Sequence, residues 1–245
     1  MRDAQQEWNA IAAEYDKKIV RGDFFREKIL DTILIKNIED VKNSCILDLG
    51  CGQGYFSNLL SSLGATVSGI DISNELISIA KTRYKNISFV VGDIEKKLPF
   101  QDHQFDVIVS NMVFMDIENP EKTIREIKRI SKPSARIVIS ILHPIFTGGE
   151  IYKTMLDFLL FKKPSFLLRH YKKQKTLHWK ILNTTQKTTV FHRPMEYYIN
   201  LLLKNGISIV HIEEGTLKDI DAENGFQEML NDIPMFLVVA GIINT

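Results

Sequence analysis

The sequence of 245 residues is poor in cysteine and has no long apolar run. Its two cysteines, Cys45 and Cys51, exclude a disulfide-stapled scaffold and a four-thiolate metal site. The apolar run near the C-terminus, Phe236–Ile243, is far shorter than the roughly 20 residues that a membrane-spanning helix needs. The N-terminus lacks the apolar core of a signal peptide. These absences predict a cytoplasmic protein with reduced thiols and no membrane partner.

The sequence also has no excess of one charge. It contains 31 Lys and Arg against 30 Asp and Glu, so its formal net charge is +1. Proteins that bind nucleic acid usually carry a strong basic excess, so a nucleic-acid partner is not expected. With 44% hydrophobic residues and 14 Phe, the chain is not a disordered one. The length fits one α/β domain, which we place at 1–245.

Apolar runs alternate with helical patterns along the middle of the chain. The predicted strands are 45–49, 67–70, 87–91, 105–110 and 136–142, and the predicted helices are 4–16, 23–38, 55–63, 73–83 and 120–130. This alternation predicts a parallel sheet with helices on both faces. In such sheets ligands bind beyond the carboxyl ends of the strands, so the residues after each strand are the candidates for function.

Three glycines follow the first predicted strand with the spacing G-x-G-x-G, at Gly50, Gly52 and Gly54. Because glycine has no Cβ, such a loop can turn sharply and pass close beneath a ligand. The dinucleotide pattern G-x-G-x-x-G would need glycine at position 55, which is Tyr55. No Lys with Ser or Thr follows to make a phosphate-binding P-loop. A tight turn between strand and helix explains the glycines alone equally well.

Aspartates at the ends of three predicted strands favour a ligand site. Asp48 precedes Gly50 by two residues, and Asp71 closes the second strand 21 residues after Gly50. An acid at the second position can accept hydrogen bonds from a ribose diol. Asp93 closes the third strand, where a carboxylate can accept a hydrogen bond from an exocyclic amine. One such aspartate would more often be a helix cap or a turn residue, but three with this loop indicate a site.

Four motifs together resemble the class I S-adenosylmethionine-dependent methyltransferases, and most of all their small-molecule branch, the methyltransferase 11 type. They are DLGCGQG at 48–54, GIDIS at 69–73, GDI at 92–94 and FDVIVSN at 105–111. The resemblance covers about residues 5–145. It implies a doubly wound, mostly parallel sheet of seven strands in the order 3-2-1-4-5-7-6. It also implies a helix at 195–203 and the last two strands at 207–212 and 236–242. The family's Lys-Pro-Gly-Gly before the fifth strand is Lys132-Pro-Ser-Ala135 here, so a different turn is expected.

The resemblance implies S-adenosylmethionine as cofactor and S-adenosylhomocysteine as product, and it assigns their contacts. Gly50 and Gly52 would approach the methionine and ribose portions, with Asp48 beside them. The remaining assignments are Asp71 to the ribose hydroxyls, Ile72 and Ile94 to the adenine ring, Asp93 to the adenine amine, Asn111 and Met112 to the methionine end, and Tyr15 to the cofactor's carboxylate. Tyr15 could equally be a core aromatic of an amphipathic helix.

Residues 144–194 do not belong to the minimal sheet. A connection of this length is usually functional or carries its own structure. It contains an apolar helix candidate at 151–161 and a strand candidate at 184–191. Between 150 and 187, nine Lys and Arg stand against Glu150 and Asp157. We expect a cap over the cofactor that selects the acceptor, and the basic residues raise an anionic acceptor as one alternative. The alternative is a solvated surface whose apolar helix packs on the core or at a homodimer contact.

The function predicted from these motifs is methyl transfer to an O, N or C atom of a small molecule. His143, directly after the fifth strand, is the first candidate for a general base, and His192 is the second, although both could simply fix the local fold. No His, Asp or Glu cluster has metal-ligand spacing, so no metal is expected. The alternatives are an RNA- or protein-directed methyltransferase, a non-catalytic cofactor-binding subunit and, more remotely, a dinucleotide-dependent oxidoreductase.

Overall fold

The computed structural model describes residues 3–22, 25–152, 165–168, 170–181, 184–216, 231 and 233–244. Its helices are α1 (Ala4–Val20), α2 (Asp31–Ile38), α3 (Tyr55–Ser62), α4 (Asn74–Arg83), α5 (Pro120–Ile130), α6 (Pro144–Gly148) and α7 (Met195–Lys204). Its strands are β1 (Cys45–Leu49), β2 (Thr66–Asp71), β3 (Ser88–Val91), β4 (Phe105–Asn111), β5 (Ser131–Leu142), β6 (Gly149–Tyr152), β7 (Ser165–Leu168), β8 (Lys175–Trp179), β9 (Thr188–His192), β10 (Ile207–Gly215) and β11 (Phe236–Ile243).

Seven of the described strands form one sheet in the order β3-β2-β1-β4-β5-β11-β10. The pairs from β3 to β5 are parallel, and β11 runs antiparallel to both β5 and β10. With β10 as the sixth core strand and β11 as the seventh, the predicted order 3-2-1-4-5-7-6 is confirmed. The predicted α/β class is confirmed with it.

Both faces of the sheet are buried against helices, because the central strands are apolar on both sides. One face packs on α5 and α7 through side chains such as Ile124, Ile127 and Leu202. The opposite face packs on α2, α3 and α4 through side chains such as Leu34 and Leu60. A sheet sandwiched in this way leaves its strand ends as the places where polar residues can meet a ligand.

Several element ends differ from the predicted ones. Helix α1 continues to Val20 instead of residue 16, and the second predicted helix begins with a π-helical turn at Arg26–Leu30 before α2. Strand β5 begins at Ser131, five residues early, because Ser131 pairs with Phe105 before a register shift. The turn in that shift places Ser134 at a φ of 60°, in the left-handed region, where the family has glycine.

The connection between β5 and α7 contains two small antiparallel sheets, β6-β7 and β8-β9. The helix predicted from residue 151 is wrong at its start, since Ile151 and Tyr152 are in β6 and pair with Phe166 and Ser165. The rest of that prediction, 153–161, lies outside the described residues. The predicted strand at 184–191 corresponds to β9, which pairs with β8 along its whole length.

The outer edge of the main sheet is irregular. Strand β10 shifts register against β11 between Ile209 and His211, so Val210 is an extra residue on the edge strand. Val210 and Ile212 are exposed there. Among the helices in the described part of the chain, none is long and apolar enough to cross a membrane.

Candidate functional site

A cavity lies at the carboxyl ends of β1, β2 and β4, under α1. Its volume is about 700 Å³, including the part that is open to solvent. It is lined by Ala4, Trp8, Tyr15, Gly50, Gly52, Asp71, Ile72, Leu76, Asp93, Ile94, Glu95, Asn111, Met112, Val113, Asp116 and Ile117. Every residue that the sequence assigned to a cofactor lies in this wall, with the exception of Asp48.

The glycines of the loop differ in how closely their neighbours approach. Gly50 has a φ of 81°, and a Cβ added to it would lie 2.3 Å from Cγ2 of Val113. Gly52 has a φ of 54°, and its added Cβ would meet only the ring of Tyr15, at 3.8 Å. Glycine is therefore required at position 50 by packing, whereas at position 52 the positive φ favours glycine and a side chain would enter the cavity beside Tyr15.

Asp71 ties the end of β2 to the glycine loop. Its Oδ2 accepts a hydrogen bond from the Gly52 N–H at 2.9 Å, and its Oδ1 accepts one from the Ser73 N–H at 2.9 Å. Burial raises the pKa of this carboxyl above its usual value, and the two N–H groups oppose that rise. Each carboxylate oxygen has further lone pairs, so Asp71 can accept hydroxyl donors while it holds the loop.

Asp48 lies beneath the loop and is not part of the cavity wall. It is 1% exposed, and its Oδ2 accepts a hydrogen bond from Ser57 Oγ at 2.6 Å. Burial raises the pKa of Asp48 to about 7; the bond from Ser57 opposes this, and the charge of Asp71 adds to it. This carboxyl joins β1 to α3 and is not among the residues that line the cavity, so a direct contact of Asp48 with the cofactor stays a prediction.

Asp93 and Glu95 shape the far end of the cavity. Asp93 Oδ1 accepts the Glu95 N–H at 2.9 Å, and its Oδ2 lies 3.3 Å from Lys96 Nζ. The Glu95 carboxylate accepts the N–H groups of Glu118 at 3.0 Å and Asn119 at 2.7 Å. These bonds fix the segment after β3 to the segment that leads into α5.

Asn111 and Met112 are held at the end of β4 by Ser140 of the neighbouring strand. Ser140 Oγ donates to Asn111 Oδ1 at 2.9 Å, and the Met112 N–H donates to the Ser140 carbonyl at 3.0 Å. Met112 has a φ of 63°, which is uncommon for a side chain of its size. The chain therefore turns sharply here, in the wall of the cavity.

Sequence reasoning missed the cavity-lining roles of Trp8 and of the segment 113–117. Trp8 lies on the face of α1 that also carries Tyr15, and the two rings meet edge to face with centroids 5.7 Å apart. Because residues seven apart lie on the same face of a helix, the spacing of Trp8 and Tyr15 could have indicated that Trp8 also faces the cavity. No local signal marks 113–117, since it is held from outside by buried Arg193. That guanidinium donates to the carbonyls of Ile117 at 2.8 Å and Glu118 at 3.0 Å.

The two candidate bases, His143 and His192, do not line the cavity. His143 is 4% exposed, and its Nε2 lies 2.8 Å from Glu214 Oε1 on β10, while its Nδ1 accepts the Ile145 N–H at 3.3 Å. His192 lies between Tyr171 and Thr147. Burial lowers the pKa of both imidazoles, and Glu214 opposes this at His143. Both ring nitrogens of His143 are engaged within the fold, which favours the structural role of the two that the sequence left open, and its role as a base stays a prediction.

Comparisons with known proteins agree with this geometry. A family model described as a methyltransferase domain matches residues 40–187. The malonyl-[acyl-carrier protein] O-methyltransferase of Buchnera aphidicola is 33% identical over 149 residues, which are 59% of this chain and 60% of that protein. The demethylmenaquinone methyltransferase of Thermotoga maritima is 34% identical over 137 residues, 54% of this chain and 57% of that protein. The chain thus spans less than two thirds of the length of these curated relatives.

The fold has close structural counterparts as well. An S-adenosylmethionine-dependent methyltransferase from Mesorhizobium loti superposes with a TM-score of 0.74 over 86% of this chain and 96% of its own, at 24% identity. That likeness concerns the fold, and the family model and the curated relatives add the sequence. The chain therefore belongs to the family of S-adenosylmethionine-dependent methyltransferase domains.

Proposed function

We propose that this protein transfers a methyl group from S-adenosylmethionine to a small-molecule acceptor. One observation carries the proposal: the glycine loop, Asp71 and Asp93 come from three separate strand ends and line a single cavity. The curated relatives named above support a small-molecule acceptor, since one is named for a quinone precursor and the other for a carrier-bound malonyl group.

The residues of the cavity fit the adenosyl cofactor. Gly52 and Tyr15 both line the cavity, so both can contact a bound ligand, and the Asp71 carboxylate can accept the two ribose hydroxyls. The adenine ring would lie between Ile72 and Ile94, with its amine donating to Asp93. Asn111 and Met112 would contact the methionine end. When bound, the cofactor supplies a methyl group activated by a sulfonium charge.

The chain's own contribution is positioning and exclusion of water. Trp8 and Tyr15 line the cavity from α1, and Val113 and Ile117 add apolar surface to its wall. Holding two reactants in line in such an enclosed site lowers the barrier without a covalent step by the protein. We assign no general base, because neither candidate histidine is in the wall.

The charge of the cavity bears on the acceptor. Among the described residues that line it, four are carboxylates, Asp71, Asp93, Glu95 and Asp116, and none is Lys, Arg or His. A wall of this kind attracts a sulfonium and repels an anion. These residues offer an anionic acceptor no basic contact, so we propose that any preference for an anion comes from the basic residues of 150–187 alone, and the charge of the cavity is also unfavourable for RNA.

We further propose that 1–245 is one domain in which 144–194 is a cap. The described parts of that segment support it, because α6 continues from the end of β5 and Thr189 of β9 bonds to α1 at the cavity. The cap would then choose the acceptor.

The test is ligand binding followed by turnover. Isothermal titration should give a one-to-one complex with S-adenosylhomocysteine and no heat with NAD or FAD. At a concentration about 100 times the Kd, the melting temperature should rise by roughly 5–10 °C. Mass spectrometry of acceptor mixtures with S-adenosylmethionine should then reveal a product heavier by one methylene. A protein that ignores both cofactor forms would refute the proposal.

A further inference from the structure

Helix α1 lies across the cavity, and polar contacts hold it to the turn after β2 and to α4. Gln5 Nε2 donates to the Ile72 carbonyl at 2.9 Å, and Ser73 Oγ donates to Asn9 Oδ1 at 2.7 Å. Near the helix end, the Arg83 guanidinium donates to both Asp16 oxygens at 2.8 and 2.9 Å. Its buried side chains are Ile11, Ala12 and Ile19. A helix with so small an apolar contact depends on its polar partners for its position.

On its other side, α1 meets the β8–β9 hairpin through two glutamates that bind in the same way. Glu7 accepts the Thr189 N–H at 3.0 Å with one oxygen and the Thr189 hydroxyl at 2.8 Å with the other. Glu14 accepts the Thr185 N–H at 2.8 Å and the Thr185 hydroxyl at 2.5 Å. Each carboxylate thus takes both donors of one threonine.

The two contacts match in spacing. Glu7 and Glu14 are two helical turns apart, about 10 Å along the axis, and therefore lie on the same face of α1. Thr189 and Thr185 are four residues apart, which is about 13 Å in extended chain and less where the chain bends before β9. The helix and this segment run in opposite directions, so a repeated contact forms only if both pairs are in register.

We propose that Glu7 and Glu14 are positioning residues that hold α1 over the cofactor cavity by clamping Thr189 and Thr185. This clamp deepens the proposed function and rests on it. Trp8 and Tyr15 belong to the cavity wall only while α1 is in place. The β8–β9 hairpin, which holds α1, therefore controls how fast the cofactor enters and leaves. The cap and the cofactor site thereby act as one unit.

The two halves of the clamp differ in strength. Thr189 is 3% exposed, whereas Thr185 is exposed to solvent. A charged hydrogen bond that is shielded from water contributes more than one at the surface, so the Glu7 contact dominates. The bonds from Thr185 lower the pKa of Glu14 below its usual value, so this half is lost only when the pH falls well into the acid range.

The experiment uses Trp8 as its own probe. The chain has two tryptophans, Trp8 and Trp179, so a Trp179→Phe parent reports from the cavity wall alone. Stopped-flow fluorescence follows release of S-adenosylhomocysteine from the parent and from variants that each carry one further change. We expect Glu7→Ala to raise the release rate roughly tenfold and Glu14→Ala about threefold. Lys17→Ala, an exposed change on the same helix, should release at the parent rate.

A reciprocal variant separates the clamp from general damage to the fold. Thr189→Val keeps the shape of the side chain and removes the hydroxyl, which bonds Glu7 and also lies 3.1 Å from His178 Nδ1. It should speed release in the parent and add less to Glu7→Ala than it does alone, because the bond from the hydroxyl to Glu7 is already absent there. Release at the parent rate from both glutamate variants, or fully additive effects of Glu7→Ala and Thr189→Val, would overturn the clamp and leave the proposed function standing. A parent that does not bind S-adenosylhomocysteine would overturn the proposed function itself.

Discussion

The Asp71 carboxylate has two tasks, since it holds the glycine loop through Gly52 and faces the cavity with its remaining lone pairs. Asp71→Asn keeps the size of the side chain but replaces one acceptor oxygen by an amide NH2 group, which only donates. We expect the affinity for S-adenosylhomocysteine to fall about 10- to 100-fold by titration calorimetry. Asp102→Asn, which alters an exposed carboxylate paired with Arg129, is the matched control and should bind normally.

Asp48 makes the stability of the protein depend on pH. Because its pKa is raised from 3.8 to about 7 in the folded state, folding favours the protonated form. The stabilising effect is complete below pH 4 and is lost as the pH rises through 7. Ionisation of Asp48 should therefore lower the free energy of unfolding by about 3 kcal/mol as the pH rises from 5 to 8.

Asp48→Asn removes that dependence, because the amide does not titrate. Urea unfolding should show the variant gaining stability relative to the native protein as the pH rises from 5 to 8. Equal pH dependence of the two proteins would contradict the protonated, buried state that we assign to Asp48.

His143 is expected to matter for stability and not for the cofactor. Its ring is buried against Glu214, outside the cavity wall. His143→Ala should reduce the free energy of unfolding by about 1–3 kcal/mol and change the Kd for S-adenosylhomocysteine less than twofold. Loss of turnover in a His143 variant that keeps its stability and cofactor affinity would restore the histidine as a candidate base.

At the scale of elements, the loop between β1 and α3 can be tested with a pair of glycines. Gly52 and Gly64 both have positive φ, at 54° and 97°. Alanine at either position should cost about 1–2 kcal/mol of stability through backbone strain. Only Gly52→Ala places a methyl group in the cavity, so only that variant should lose more than tenfold in affinity for S-adenosylhomocysteine. Similar binding by both variants would place the ligand elsewhere.

The elements of the main sheet were predictable because their signals are local. The apolar run that ends at Leu49 and the proline that begins α5 gave bounds that the structure confirms. The connection after β5 was less predictable, since Ile151 has an apolar neighbourhood that suits a helix or a strand equally well. Its strand conformation depends on pairing with Phe166, which is a distant partner that composition does not reveal.

The position of the candidate site was predictable from local sequence signals, but the contacts within it were not. Glycine and aspartate at strand ends identify the region, but which way a carboxylate faces depends on packing. Asp48 and Asp71 look alike in the sequence, and only the fold separates the one bonded to Ser57 from the one in the cavity wall. The contribution of α1 is a tertiary contact, so Trp8 could be found only by its helical spacing.

At the scale of the whole molecule, Arg193 joins the C-terminal half to the cavity wall. It is 5% exposed and donates to backbone carbonyls of the segment 114–118, including Ile117 at 2.8 Å. Arg193→Met should cost about 2–4 kcal/mol of stability, because those carbonyls lose their donor in a buried place. It should also weaken binding of S-adenosylhomocysteine, since the segment lines the cavity.

Arg125→Met is the control for that experiment. Arg125 is exposed on α5, so its replacement should leave the melting temperature and the cofactor affinity unchanged. An Arg193 variant as stable as this control would mean that the segment after β4 holds its shape without help from the C-terminal half.

The extra residue Val210 on the outermost strand has a consequence for crowded solutions. A regular edge strand has unpaired amide and carbonyl groups that can form hydrogen bonds with a strand of a second molecule, and repeated pairing of this kind leads to fibrils. The register shift at Val210 makes the edge strand β10 irregular, so pairing of β10 with a second molecule is disfavoured even though Val210 and Ile212 are exposed. If two copies of this chain associate, they should do so through another surface.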